Sequence, residues 1–450
     1  MLNKFFKLKE NGTKVSTEFI AGLTTFMTMS YIIFVNPQVL SLTGMPYEAV
    51  YGATILTSII GTLFLGIFAN VPYAQSAGIG IASLFSYTIC GSLGFTWQEA
   101  LAMVFICALI NVLITVTSLR KKIIKAIPVF LQEAITVGIG LFITYIGLIN
   151  AGIISFSADK LENGFAIGVV PQLANFNSAS TILALIGLVI VIILLTKKVK
   201  GAYLITIILT TLIGIPMGVT KIPDFSNYTV LPSISSTFLK LDFAGLFTAK
   251  AGILIAVMTI FTLAISDLFD TIGVFIGTGK KAGIFKLDSE GNMPPNLERA
   301  LFADAVGSLA GSLLGSSNVT TYAESSAGIE AGGRTGLTSV FIALFFGLSL
   351  LLSPVIGCVP MAAVAPVLIV IGVSMIENVG SINWKDVACS VPAFFIIIMM
   401  PFSYSITTGI QFGFISYVIV NIFTGNAKKI SPIIYIFSLL FIISFIFQAL

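Results

Sequence analysis

Long apolar runs separated by short polar stretches dominate the chain. A transmembrane helix needs about 20 mostly apolar residues, and fourteen runs approach or exceed this length. The predicted spans 1 to 14 cover residues 18–38, 49–69, 76–93, 98–118, 128–153, 179–196, 202–219, 251–277, 300–315, 317–333, 335–356, 359–380, 388–402 and 404–424. A further apolar stretch, 432–449, is either a short fifteenth span or an interfacial helix. The pattern predicts an all-α polytopic protein embedded in a lipid bilayer.

The composition excludes a water-soluble protein. The 450 residues are 57% hydrophobic and 9% charged, whereas ordinary soluble domains are about 25% charged. So few charged side chains cannot cover a water-exposed surface, and soluble enzymes are therefore excluded. The formal net charge of +4 is too small to indicate a nucleic-acid partner.

The basic residues predict how the chain is oriented. When the N-terminus is placed in the cytoplasm and the spans alternate, 19 of the 23 lysines and arginines fall on the cytoplasmic side, in agreement with the positive-inside rule. Those assigned to the outside are Lys160, Lys221, Lys240 and Lys250. The first residues are basic and too polar for a signal peptide, so we expect span 1 to be retained. This predicts a cell-membrane protein with a cytoplasmic N-terminus.

A weak internal repeat relates the two halves of the chain. The sequence Ala126-Ile-Pro opens span 5, and Cys358-Val-Pro opens span 12, 232 residues later. Gly140 and Gly372 share the same offset. Because seven spans separate the two copies, the second copy is inverted, as in many secondary transporters. A chance match of proline and glycine stays open at this point.

The most informative acidic residues are four carboxyl groups within predicted spans, where a carboxylate costs several kcal/mol unless it faces a cavity, finds a partner or is protonated. Asp267 and Asp270 lie at i and i+3 on one face of span 8, Asp304 lies in span 9, and Glu324 lies in span 10. Two like charges so close together disfavour double ionisation, so we expect one of Asp267 and Asp270 to hold a proton. Such a group suits a proton-coupled carrier.

A structural role is the alternative for each of these acids. Any of them, Asp304 above all, could bind hydroxyls and backbone amides that join neighbouring helices. Glu133 and Glu377 lie near span ends, and we expect them to be solvated or interfacial.

Two spans carry sequences that are poor helix starts. Residues 75–83 open span 3 with glycines and small side chains, and residues 315–322 open span 10 with hydroxyl and β-branched side chains. Both stretches suit extended backbone followed by a half-helix, which membrane proteins tolerate where protein or a cavity covers the backbone. The alternative for span 3 is that its small residues allow close helix packing.

The sequence offers little support for disulfide bonds, metal sites, nucleotide binding or enzymatic catalysis. The chain contains no histidine, and its four cysteines lie in apolar runs, so disulfide frameworks and Cys/His metal sites are not expected. The stretch Gly277-Thr-Gly-Lys280 lacks the spacing and the Ser/Thr of a phosphate-binding loop. No nucleophile and base pair indicates an intramembrane enzyme. We therefore expect no cofactor and no enzymatic activity.

Several stretches together resemble a known family over nearly the whole chain. They are residues 18–37, Asp267-Leu-Phe-Asp-Thr-Ile-Gly, Ala303-Asp-Ala-Val-Gly, residues 321–337 and Met400-Pro-Phe-Ser-Tyr-Ser. The chain resembles the nucleobase:cation symporter-2 (xanthine/uracil permease) superfamily, in its adenine/hypoxanthine/guanine permease branch. The resemblance implies fourteen spans in two inverted sevens. It implies a core domain from residues 1–125 and 251–357, and a gate domain from residues 126–250 and 358–450.

The resemblance also implies site residues. The substrate carboxylates of the family fall on Asp267 and Glu324, with Asp270 beside them, and proton coupling is expected from Asp267, Asp270, Asp304 and Glu324. In span 3 the chain departs from the family, because Ala82 replaces an asparagine that contacts the base and Ala77 replaces a proline. The neighbouring Ser83 either supplies a hydroxyl in place of that lost amide or points away from the site.

A purine is flat, uncharged and edged with N–H donors, so carboxylates from two spans can accept hydrogen bonds from its edge. A ring such as that of Phe85 or Tyr322 can cover its face. We therefore expect a secondary active transporter that imports adenine, guanine or hypoxanthine by proton symport.

Alternatives stay open at this stage. They are transport of xanthine, uracil or a related small substrate, a gated cation channel, and an anion transporter of the same architecture, whose site would need positive charge. The preferred base, Na⁺ in place of H⁺, and a homodimer also stay open.

Overall fold

The computed structural model describes residues 2–117, 126–160, 166–222, 232–248, 252–281, 284–285, 294–352 and 358–449. Its helices are α1 (Val15–Met29), α2 (Ile32–Ser41), α3 (Tyr47–Phe64), α4 (Ile79–Ser83), α5 (Trp97–Val116), α6 (Val129–Asn150), α7 (Ala179–Thr196), α8 (Ala202–Gly214), α9 (Ile253–Lys281), α10 (Pro295–Leu314), α11 (Ser325–Glu330), α12 (Gly336–Ser349), α13 (Met361–Ile376), α14 (Val387–Phe402), α15 (Ile406–Phe423) and α16 (Pro432–Ala449). The strands are β1 (Gln75–Ala77), β2 (Ile154–Lys160), β3 (Ala166–Leu173) and β4 (Val319–Thr321).

Shorter elements complete the described secondary structure. π-helical segments Leu65–Ala69 and Leu84–Ser92 continue α3 and α4, and 3₁₀ segments lie at Leu350–Leu352, Glu377–Ser381 and Ala427–Lys429. Single helical turns lie at Leu2–Phe5 and Gly245–Thr248.

The all-α membrane fold is confirmed. Each of the fourteen predicted spans overlaps a described helix or a strand followed by a helix. Within the part of the chain that the structure describes, seven helical segments are long and apolar enough to cross a membrane, and six shorter apolar helices accompany them. The chain is therefore a multi-pass membrane protein.

Span 1 differs from the continuous helix that its apolar run predicts. It consists of α1 and α2, with Ser30 and Tyr31 between them. At this break the amides of Ile33 and Phe34 bond to carbonyls three residues earlier, at 3.1 and 3.0 Å, instead of four. The tighter turn changes the course of the span and places the Tyr31 side chain against span 10, where it contacts Glu324.

The prediction that spans 3 and 10 are discontinuous is confirmed. Each enters as a short strand, and β1 pairs with β4 in antiparallel fashion, with Gln75 opposite Thr321 and Ala77 opposite Val319. The two strands form hydrogen bonds with each other's backbone N–H and C=O groups. Such pairing is needed within a membrane, where water is not available to these groups. Helix α4 then begins at Ile79 and helix α11 at Ser325.

The two inverted repeats meet where α6 packs against α13, the helices of spans 5 and 12. Gly140 and Gly372, matched by the internal repeat, lie against each other in this contact. A Cβ added at Gly140 would lie 2.9 Å from the Gly372 carbonyl oxygen and 2.6 Å from Met375 Cβ. The glycines therefore allow the two backbones to approach closely.

Three peripheral features complete the fold. Strands β2 and β3 form an antiparallel hairpin between spans 5 and 6, in a loop for which the sequence pattern predicted no strand. Near the N-terminus, Phe6 and Leu8 are buried against Leu337. The C-terminal stretch is a helix, α16, whose Ser438 hydroxyl donates to the Phe414 carbonyl on α15 at 3.1 Å. The predicted domain boundaries at residues 125, 250 and 357 lie outside the described residues.

Candidate functional site

A cavity of about 420 Å³ lies beside the paired strands β1 and β4. One wall comes from spans 1, 3, 8 and 10, and its residues are Tyr31, Ile79, Gly80, Asp270, Val274, Thr320, Thr321, Tyr322, Ala323 and Glu324. The opposite wall comes from spans 5, 7 and 12, and its residues are Gln132, Glu133, Thr136, Tyr203, Ile371, Ser374 and Met375. The volume is in the range of small-molecule sites.

The helix interruptions in spans 3 and 10 position residues of the first cavity wall. Glu324 immediately precedes α11, so the turn from β4 into this half-helix points its side chain into the cavity. Gly78 precedes α4, and a Cβ there would lie 2.8 Å from the Thr320 side chain. The close approach of the two broken spans therefore requires a residue without a side chain at this position.

Glu324 is held by the first span. The Tyr31 hydroxyl donates a hydrogen bond to Glu324 Oε1 at 2.5 Å. The Tyr31 ring also meets the Tyr203 ring from the opposite wall in an edge-to-face contact, with centroids 5.2 Å apart. One tyrosine thus links the span 10 carboxylate to the facing wall of the cavity.

Asp270 lies in the same wall, half-buried, and its carboxyl interacts with the Thr320 hydroxyl. Tyr322 lines the same wall as the two acids. Its hydroxyl donates to the Ala77 carbonyl at 2.6 Å, so this end of the ring is fixed to β1. The first wall of the cavity therefore offers two carboxyl groups from different spans and two phenol rings, of Tyr31 and Tyr322.

The other predicted site residues lie outside the cavity wall. Asp267 is 1% exposed, and its Oδ2 accepts a hydrogen bond from Asn111 Nδ2 at 2.7 Å. Ala82 and Phe85 are buried in the turns that follow the start of α4. The structure thus brings Asp270, Tyr322 and Glu324 together and places Asp267, Ala82 and Phe85 elsewhere. The roles predicted for all six stay predictions.

Asp304 has the environment of a residue that joins helices. Its Oδ1 accepts from Gln75 Nε2 at 3.2 Å and from the Thr321 hydroxyl at 3.1 Å, and its Oδ2 accepts from the Thr271 hydroxyl at 2.8 Å. These partners belong to β1, β4 and α9. The contacts match the structural alternative for this acid, and its predicted role in proton coupling stays a prediction.

Sequence reasoning missed most of the second wall. Glu133, which we expected to be solvated or interfacial, is half-buried and lines the cavity. Tyr203, Thr136 and Ser374 are uncharged, so the search for charged side chains within predicted spans could not identify them. Tyr31 was within a matching stretch, but only the break in span 1 shows that it reaches the cavity.

Comparison with known proteins agrees with this architecture. The profile of a family described as "Permease family", Xan_ur_permease, matches residues 16–412. The chain is 40% identical over 448 residues to the adenine permease AdeP of Escherichia coli, with 99% of this chain and 96% of AdeP covered. It is 37% identical over 446 residues to the guanine/hypoxanthine permease PbuO of Bacillus subtilis, with 97% and 99% covered.

A solved structure shares the fold at low identity. The transmembrane domain of a cyanobacterium bicarbonate transporter, BicA, superposes with a TM-score of 0.60 at 16% identity. The match covers 88% of this chain and 96% of the BicA domain. At this identity the likeness concerns the fold, which confirms the inverted-repeat architecture.

Proposed function

We propose that this chain, which belongs to the Xan_ur_permease family of permeases, transports purine nucleobases and is a transporter rather than an enzyme. AdeP, an adenine permease, and PbuO, a guanine/hypoxanthine permease, support this substrate class. The observation that carries the proposal is the pair of carboxyl groups, Asp270 and Glu324, in a cavity walled by tyrosine rings.

The chemistry of the cavity suits an uncharged, flat ligand with N–H groups on its edge. Carboxylate oxygens accept hydrogen bonds from such groups, and the Tyr322 ring offers an apolar face against which a purine can stack. Thr320, Thr136 and Ser374 add hydroxyls that both donate and accept, so they can pair with ring nitrogens and exocyclic groups.

The lining charges argue against an anion as the substrate. Three acids, Glu133, Asp270 and Glu324, and no lysine or arginine line the cavity among the described residues. An anion would be repelled at close range by any ionised carboxylate. We therefore do not assign bicarbonate, the substrate of BicA, to this chain, although the two proteins share a fold.

The division into two walls favours an alternating-access carrier over a channel. We propose that spans 1–4 and 8–11 (residues 1–125 and 251–357) form a core that carries the first wall. Spans 5–7 and 12–14 (residues 126–250 and 358–450) form a gate that carries the second. A cavity between two bodies can open to either side when one moves against the other.

Proton coupling follows from the acids of the core. Moving an ionised carboxylate through the membrane with a neutral base is costly, and binding of one proton to the core removes that charge. The proton enters with the base and is released on the cytoplasmic side. The acids that carry it belong to the set Asp267, Asp270, Asp304 and Glu324. The N-terminus is cytoplasmic in this proposal, and the imported base is adenine, guanine or hypoxanthine.

Uptake competition tests the proposal. Cells that lack their own purine transporters and express this chain take up labelled hypoxanthine, and unlabelled adenine, guanine, xanthine and uracil are added in excess. We expect the purine bases adenine and guanine to compete, and a protonophore to abolish accumulation. Competition by uracil or xanthine alone would move the substrate to the other branch of the family, and absence of any base uptake would overturn the proposal.

A further inference from the structure

A second cavity, of about 680 Å³, is lined by Lys7, Ile67, Phe68, Arg299 and Arg334 among others, and we name it the terminal pocket. It shares no lining residue with the cavity between the two walls. Its sides come from the N-terminal segment, the end of span 2, the first turns of α10 and the turn between α11 and α12. In the proposed orientation of the chain, this side of the molecule faces the cytoplasm.

The polar lining of the terminal pocket carries an excess of positive charge. Three cations, Lys7, Arg299 and Arg334, face one acid, Glu10. Lys7 Nζ lies 3.7 Å from Glu10 Oε2, but both side chains are exposed, and an exposed pair of this kind contributes little free energy. Neither arginine forms an ion pair among the described residues. The two guanidinium groups therefore favour binding of an anion.

Arg334 is held in position by the backbone around it. Its Nη1 donates to the Ile329 carbonyl at 2.5 Å and to the Gly333 carbonyl at 2.7 Å, at the C-terminal end of α11. The nearby Glu18 carboxylate accepts backbone amides and the Thr338 hydroxyl rather than the guanidinium. Nε and Nη2 of Arg334 have no partner among the described residues. A guanidinium that is already ordered at one nitrogen can bind a phosphate group with its others.

The N-terminal segment that carries Lys7 is packed against the rest of the molecule. Phe6 and Leu8 are buried against the start of α12. Asn70 Nδ2 donates to the Phe6 carbonyl at 3.2 Å, and Asn70 Oδ1 accepts the Gly336 amide at 2.9 Å. Because the residues on both sides of Lys7 are anchored, its ammonium group is kept at the terminal pocket.

The apolar lining indicates that the anion is part of a lipid. Phe5, Ile67 and Phe68 line the terminal pocket and are exposed. Ile67 and Phe68 lie at the end of span 2, where acyl chains meet headgroups in a bilayer. Basic pockets between spans on the cytoplasmic side are suited to anionic headgroups. A soluble phosphate compound would leave these apolar side chains uncovered, whereas a phospholipid covers them.

We propose that the terminal pocket binds the phosphate group of an anionic phospholipid through its three cations, with Ile67 and Phe68 against the acyl chains. The ligand is distinct from the base in the cavity, and the inference does not depend on which base the chain transports. The headgroup contacts Arg334, whose guanidinium binds the end of α11, and the other end of this half-helix follows Glu324. The lipid is thus joined to an element of the first cavity wall.

Lipid-dependent stability of the purified full chain tests the proposal. The Tm in a neutral detergent is measured against increasing phosphatidylglycerol and, separately, phosphatidylcholine. A ligand that binds the folded state raises the Tm in proportion to its affinity and concentration. We expect phosphatidylglycerol to raise the Tm and phosphatidylcholine to leave it nearly unchanged, because the choline cation cancels the charge of its phosphate. Added salt should weaken the effect of phosphatidylglycerol, since screening reduces the attraction between exposed charges.

The double variant Lys7→Gln/Arg299→Gln assigns the binding to the terminal pocket. It removes two of the three cations and keeps Arg334, which binds the end of α11. We expect the apparent Kd for phosphatidylglycerol, taken from the Tm titration, to rise by about thirtyfold. The Tm without lipid should stay at the native value, because both side chains are exposed. If the double variant does not fold, Arg299→Gln alone should raise the Kd by about fivefold.

Lys197→Gln/Lys198→Gln is the matched control. It removes the same charge from two exposed lysines that follow α7 and lie outside the terminal pocket. In the proposed orientation these lysines also face the cytoplasm, so the control measures the effect of overall charge on lipid binding. We expect its apparent Kd for phosphatidylglycerol to equal that of the native chain.

Glycerol 3-phosphate distinguishes a lipid from a soluble phosphate compound, because it carries the phosphate group without acyl chains. We expect it to bind at least about tenfold more weakly than phosphatidylglycerol, since it does not cover the apolar lining. Equal or tighter binding of glycerol 3-phosphate would overturn the lipid as the source of the phosphate.

The remaining outcomes concern the site itself. Native phosphatidylglycerol binding by Lys7→Gln/Arg299→Gln, or an equal loss in the Lys197→Gln/Lys198→Gln control, would show that the terminal pocket is not the binding site. None of these measurements uses transport. A chain that binds phosphatidylglycerol at the terminal pocket but takes up no purine would therefore support this inference and overturn the proposed function.

Discussion

The Tyr31 hydroxyl donates a 2.5 Å hydrogen bond to Glu324 Oε1, joining residues 293 positions apart in the sequence. Tyr31 lies at the break in span 1, and Glu324 lies at the start of the half-helix of span 10. Two interruptions of regular helix thus produce one contact in the cavity wall. Its effect is to orient the Glu324 carboxylate in the cavity wall.

Removal of this contact should weaken purine transport. In Tyr31→Phe the ring stays and the donor is lost, so Glu324 is no longer fixed. We expect the KM for hypoxanthine to rise about tenfold, equivalent to about 1.4 kcal/mol. Tyr51→Phe is the control, because the Tyr51 hydroxyl donates a 2.6 Å hydrogen bond to the Ser349 carbonyl and does not line the cavity. Equal effects of the two variants would show that Tyr31 acts only through stability.

The two carboxyl groups of the first cavity wall should each be essential. Asp270→Asn and Glu324→Gln keep the shape of the side chain, but an amide cannot take up a proton and replaces one acceptor by a donor. We expect initial uptake rates to fall by about a hundredfold at unchanged amounts of protein in the membrane. Glu377→Gln, at an exposed carboxyl in a 3₁₀ segment, should transport normally. Near-normal uptake by Asp270→Asn or Glu324→Gln would remove that residue from the site.

Position 82 tests the departure from the family in span 3. Ala82 is 2% exposed and lies outside the cavity wall, so a larger polar side chain there would have to enter packed protein. We expect Ala82→Asn to lower uptake of adenine, guanine and hypoxanthine alike. Inhibition constants for the three bases check this. A change of selectivity among them would mean that position 82 contacts the substrate.

The glycine contact between the repeats should be sensitive to one methyl group. In Gly140→Ala the new Cβ would lie 2.6 Å from Met375 Cβ, so α6 and α13 must move apart. Overpacking of this kind costs about 1–3 kcal/mol, and we expect a lower Tm for the purified protein. Gly380→Ala is the control, because no atom lies within 4 Å of the added Cβ. Equal Tm values for the two variants would contradict close packing at Gly140.

The spans and their two interruptions could be predicted because they depend on local sequence. Apolar runs of sufficient length fix where helices cross, and residues 75–83 and 315–322 are poor helix formers wherever they lie. The repeat could be detected in the sequence because Gly140 and Gly372 occupy equivalent positions in the two copies. Both positions require glycine, since the two helices approach each other closely there.

The cavity wall could be predicted only in part, because its membership depends on long-range packing. Asp267 and Asp270 differ by about 60° around α9, so the sequence placed them on one face, yet only Asp270 lines the cavity. Whether Asp267 or Asp270 faces the cavity depends on how α5 and β4 pack against α9. The periodicity of the α9 sequence carries no information about that packing. The same holds for Tyr203, whose ring contacts Tyr31 of the first wall, and for Glu133, which lines the cavity from α6.

The central claim is that a purine base occupies the cavity between the two walls. Ser374 is an exposed residue of the second wall, so the cysteine in Ser374→Cys should react with a small maleimide above the background of the native protein. The rate of this reaction is measured in the purified protein with and without hypoxanthine. We predict concentration-dependent protection by hypoxanthine, adenine and guanine and none by bicarbonate. Unprotected labelling by a variant that still transports purines would contradict the account.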